Sequence, residues 1–152
     1  MGVIGFMASF SAFGDELDIA RGALREGLWD VARTHAAKSE DPAARVVIAE
    51  SFAREGKWKE LLEAIEGWNN PEDEQLAYYR ALALAETGKM AQAGFAISDK
   101  KFSDPACVRL ATRLKARVAM SEKGASEALK IMKDGPQRSE ILGLTRRTGC
   151  RR

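Results

Sequence analysis

An all-α fold, an α-solenoid of about four stacked antiparallel helix hairpins, is the architecture this sequence predicts, and three regularities predict it. Arg25-Glu26-Gly27-Leu28-Trp29 recurs twenty-nine residues later as Arg54-Glu55-Gly56-Lys57-Trp58, with a looser copy at Glu86-Thr87-Gly88-Lys89-Met90. Self-similarity at a period near thirty residues marks a stacked-repeat chain. The four prolines, Pro42, Pro71, Pro105 and Pro136, are spaced 29, 34 and 31 apart and alternate with Gly27, Gly56, Gly88 and Gly124. No segment alternates apolar and polar residues as a half-buried strand would.

The elements follow in order. Asp41-Pro42, Asn70-Pro71 and Asp104-Pro105 each pair a side chain that accepts from the free first-turn amides with a residue that has no amide to lose. Each pair opens a helix, and Gly135-Pro136 fits the same place with a weaker cap. The intervening glycine takes the left-handed conformation that ends one helix and reverses the chain. Helices are therefore expected at 15–26 and 28–39, 42–54 and 57–68, 71–87 and 89–102, 105–121 and 125–134.

Counting from each glycine exposes the core. Seven residues before it stand Ala20, Ala49 and Ala81, and four before it Ala23, Phe52, Leu84 and Met120. Two after it stand Trp29, Trp58 and Met90; five after it Ala32, Leu61, Ala93 and Leu129; nine after it Ala36, Ile65 and Ile97. Small residues allow close helix approach and large ones fill the space between hairpins. Trp29 and Trp58 are thus packing residues rather than a ligand-stacking box, and Trp68 lies near a helix end.

On these alanines, glycine turns, bulky residues and closing prolines the chain resembles the tetratricopeptide-repeat family across roughly residues 15–135. In the fourth copy Arg117 takes the alanine position, Ser126 the aromatic one and Lys133 the apolar one. The resemblance implies a groove formed by the first helix of each copy, holding a partner's extended segment or helix. Its lining here would be Leu17, Arg21 and Arg25, then Val47, Glu50 and Arg54, then Tyr78, Tyr79, Leu82 and Glu86. The partner-binding candidates are Arg21, Arg25, Glu50, Arg54, Tyr78 and Tyr79. Arginine forks and tyrosines imply an acidic or aromatic-bearing peptide.

Residues 1–14 are an almost uncharged apolar opening, too short to span a bilayer, which needs about 17–25 residues. Its apolar length and the small residues at Ala12 and Gly14 read as a signal-peptide remnant, pointing to a periplasmic or extracellular protein of a bacterial envelope; a flexible or core-packed N-terminus, and a cytoplasmic protein, are the alternatives. Residues 136–152 form a basic helix or tail, either a polar cap or the place where the array is cut within a fifth repeat.

Charge is asymmetric. Residues 1–100 carry 17 acids and 11 bases, for −6, whereas residues 101–152 carry 5 acids and 13 bases, for +8. Arg109, Arg113 and Arg117 make a stripe along one helix face, joined by Lys115, Lys130 and Lys133, so nucleic-acid binding is an alternative. No aromatic interleaving accompanies the stripe, and nucleic acid is disfavoured as a partner. Catalysis is not expected: one histidine, His35, and two distant cysteines, Cys107 and Cys150, build no metal or nucleophile set, and no phosphate loop appears. Glu60, Glu63 and Glu66 beside Lys57 and Lys59 read as a solvated helix face. The predicted function is a non-catalytic protein-interaction scaffold without cofactor, binding a partner peptide or helix. An accessory domain of a larger enzyme is a further alternative.

Overall fold

The computed structural model describes residues 13–68, 73–98 and 100–133. Among them the chain is all-α, with eight helices and no strand: α1 (Phe13–Arg25), α2 (Trp29–Ala36), α3 (Ala43–Glu55), α4 (Trp58–Glu66), α5 (Glu74–Glu86), α6 (Met90–Ser98), α7 (Pro105–Glu122) and α8 (Ala125–Lys133). These are the eight expected helices. Residues 1–12 of the apolar opening, Asn70-Pro71, the proposed fifth repeat, the tail 136–152 and Cys150 lie outside the described residues.

The glycine turns form as the spacing predicts. Gly27, Gly56, Gly88 and Gly124 have φ of 76°, 76°, 83° and 88°. The first three close the same pair of bonds: Gly27 N to Leu24 O with Leu28 N to Ala23 O, Gly56 N to Ala53 O with Lys57 N to Phe52 O, and Gly88 N to Ala85 O with Lys89 N to Leu84 O. This double closure satisfies carbonyls that a helix end otherwise leaves open. The residue after the glycine is used twice, because its own carbonyl accepts the next helix's first bond, as Leu28 O does from Ala32 N.

Helix starts follow the caps, with one shift. The Asp41 carboxylate accepts from Ala43 N at 2.8 Å, and Asp104 accepts from Cys107 N at 2.9 Å with Pro105 in the first turn. The third hairpin begins later than Asn70-Pro71 would place it. Asp73 caps α5, accepting from Gln75 N at 2.8 Å and Leu76 N at 3.0 Å.

The chain divides into two compact units, residues 1–51 and 52–152, the division falling within α3. In the first, α1 packs on α2, and Leu17, Ala20, Ala23, Leu24, Ala32, Ala36, Ala44 and Val47 form the core, with Trp29 against it. Leu17 and Val47 are therefore corrected from groove residues to core residues, 4% and 5% exposed. Arg33 donates to the fully buried Ser51 hydroxyl at 3.3 Å, and Ser51 donates to Ile48 O at 2.7 Å. His35 Nδ1 meets Glu16 Oε2 at 2.6 Å, tying α2 to α1.

In the second unit α4 packs on α5, α5 on α6 and α7, α6 on α7, and α7 on α8. Its main core joins Ala81, Leu84, Ala85, Ala93, Ile97, Ala111, Leu114 and Val118. The fourth copy departs from the glycine count. Ala116, Ala119, Ala128 and Met132 are buried, while Met120 and Leu129 are 38% and 41% exposed. Each buried residue stands one place earlier than the count from Gly124 expects. The place of the glycine in the turn is the reason: Gly124 stands immediately before α8, where the other copies put the residue after the glycine, and its carbonyl accepts from Ala128 N as those of Leu28, Lys57 and Lys89 accept in their turns.

Candidate functional site

Two helices of the second unit build the site. Glu74, the first residue of α5, reaches the segment that opens α7. Its carboxylate accepts from Ser103 N at 2.8 and 3.0 Å, Ser103 Oγ at 2.5 Å and Asp104 N at 3.2 Å. These bonds, the Ser103 hydroxyl first, hold the Glu74 carboxyl below its usual range. Hydrogen bonds from Cys107 lower the Asp104 carboxyl likewise. At the other end of α5, Glu86 pairs with Arg117 of α7. The partners at both ends are 29–31 residues apart in sequence, so α5 and α7 run side by side in the same direction, offset by one repeat length.

That register gathers aromatic and cationic groups. Tyr78 is half-buried against the core, and Tyr79 meets it edge-on, ring centroids 5.4 Å apart at 61°. Burial pushes the Tyr78 hydroxyl above its ordinary value, and the Arg113 and Arg117 guanidiniums oppose that rise. Tyr78, Glu86, Arg113 and Arg117 thus belong to one local environment. Planar guanidinium forks beside tyrosine faces can take a carboxylate and an apolar side chain together.

The other sequence candidates are distributed as follows. In the first unit Arg21 is exposed and pairs with Asp18 at 3.6 Å; Arg25 is exposed on the last turn of α1, and Glu50 is half-buried on α3. Arg54 is exposed at the end of α3 in the second unit. Arg113 and Arg117, which by spacing form a nucleic-acid stripe, also act on Tyr78. The fourth copy's one-residue shift hid them. Counted in that shifted frame, Arg113 takes the place of Tyr78 and Arg117 that of Leu82.

Glu60, Glu63 and Glu66 are exposed, as a solvated face requires. Among the described residues no group of three or more His, Cys, Asp or Glu could hold a metal ion, and no helix is long and apolar enough to cross a membrane. Cys107 is buried and free, and burial pushes its thiol up to about 11. Comparison with protein-family models, curated proteins and solved structures returns no match.

Proposed function

We propose that this chain is a non-catalytic, tetratricopeptide-like interaction module that holds an acidic, aromatic-bearing segment of a protein partner. The observation that carries the reading is the parallel register of α5 and α7, which brings the Arg113 and Arg117 charges within electrostatic reach of Tyr78. Stacked repeats present such helix faces as binding surfaces. Arg21 and Arg25, exposed on α1, the half-buried Glu50 and the exposed Arg54 are proposed as partner contacts, each within its own unit. The apolar opening supports an exported setting, which fractionation of the native cells would check.

The test is a photo-crosslinking amino acid at Tyr79 in the native cells. We expect one dominant crosslinked protein, lost when Arg113→Glu is added while helicity by circular dichroism is unchanged. No crosslinked protein, or an unchanged yield in Arg113→Glu, refutes the reading.

A second reading, nucleic-acid binding, draws support from the exposure of Arg109, Arg113 and Arg117 along α7. Against it, Glu86 pairs with Arg117, and the Arg109 charge acts on Asp104. A gel-shift at low salt decides: phosphate contacts would give binding that falls steeply as salt rises.

A further inference from the structure

α6, Met-Ala-Gln-Ala-Gly-Phe-Ala-Ile-Ser, carries no charged residue, alone among the described helices. A surface helix ordinarily turns a polar, charged face to water. Here Ala93 and Ile97 face the core, while Phe95 stands 74% exposed, the most exposed large hydrophobic residue described. An open groove of about 640 Å³ runs beside it, between α4 and α6, with Leu62 of α4 and Leu84 of α5 among its lining. Among the described residues, Arg80, Lys89 and Lys100 border this groove, with Glu66 as the acidic one. Next to it lies a dimple of about 60 Å³ lined by Ile65, Trp68 and Leu76, which shares Arg80 and Lys100 with the groove.

We propose that the α4–α6 groove docks an acidic amphipathic segment of a partner protein. Its apolar side chains cover Phe95 and Leu62, one of them reaching the dimple at Trp68, and its carboxylates meet Arg80 and Lys89. Charge complementarity selects the occupant: Arg80 and Lys89 beside an apolar strip favour a segment carrying acids on the flanks of its apolar stripe. A groove with Glu66 in its lining fits a peptide better than a plane of anionic headgroups. The groove shares no lining residue with Tyr78, Tyr79, Arg113 or Arg117, so the two surfaces stand or fall separately.

The experiment selects random peptides of about twelve residues, displayed on phage, against the full chain, then measures enriched peptides by fluorescence anisotropy. We expect net-negative peptides with an aromatic or aliphatic anchor. Phe95→Ser and Lys89→Glu should each weaken them by roughly tenfold or more, and Arg113→Glu should leave them unchanged. Phe95 lies outside the core, so its substitution should leave helicity intact; circular dichroism checks this. Peptides without acidic bias, or equal affinity for Phe95→Ser, overturn the proposal. So does a concentration-dependent dimer abolished by Phe95→Ser in sedimentation, which gives the groove to a second copy. Binding to phosphatidylglycerol vesicles, lost in Phe95→Ser and without any selected peptide, overturns it in favour of a membrane surface.

Discussion

Replacing Gly88 by alanine isolates the backbone term that ends α5. At φ +83° an L side chain is strained, and a Cβ built there meets nothing within 4 Å, so no clash contributes. The left-handed conformation costs a non-glycine residue about 1–2 kcal/mol. Alanine also restricts the unfolded chain, which offsets about 0.4–1 kcal/mol. The net loss should be close to 1 kcal/mol, a fall in Tm of roughly 2–4 °C for a chain of this size. Gly22 gives the opposite sign, because it lies inside α1 and its added Cβ meets only the tip of Arg25, 3.9 Å away. Alanine there should gain up to about 1 kcal/mol from helix propensity. Urea unfolding followed by circular dichroism measures both, and Gly88→Asn should lose less than Gly88→Ala because asparagine visits this conformation more readily. A Gly88→Ala protein as stable as the parent would refute the left-handed turn and the hairpin built on it.

Three further outcomes are expected. Ile97→Ala should cost about 2–5 kcal/mol in urea unfolding, since Ile97 is 1% exposed, whereas Phe95→Ala two residues away should stay within about 0.5 kcal/mol. The Glu74 carboxyl is held below its ordinary value of 4.5, so its stabilisation is present above that pH and lost as pH falls through the folded value. Glu74→Gln should accordingly lower Tm at pH 7 and lose that difference in strong acid; a pH-independent difference would rule out the carboxylate's role. With its thiol near 11, Cys107 should be about a thousandth thiolate at pH 8 and resist iodoacetamide until urea unfolds the chain, as read by mass spectrometry of its own peptide.

The legible part of this protein is the part written in local chemistry. Gly27, Gly56 and Gly88 mark the reversals and Asp41 and Asp104 the starts, because the sign of φ and the satisfaction of first-turn amides depend on a few adjacent residues. The alanines before each turn and the residues after it identify the core of the first three copies for the same reason: helical period alone sets which positions share a face. At Asn70-Pro71 the local signal competes with Asp73, whose carboxylate satisfies two amides of α5.

What the sequence by itself determined, then, is where helices run and where they turn. Tertiary structure decided which faces are covered. Leu17 and Val47 read as groove residues on their own helices, yet packing within the first unit buries them. Gly94, unfavourable to a helix by propensity, is explained only by Val118 of α7, whose Cγ1 would lie 3.0 Å from an added Cβ. Arg113 and Arg117 became neighbours of Tyr78 and Glu86 only through the parallel register of α5 and α7. Burial and charge pairing depend on residues some thirty positions away, and a glycine standing one place later in its turn, as at Gly124, moves the buried set to different residues without changing the helical pattern.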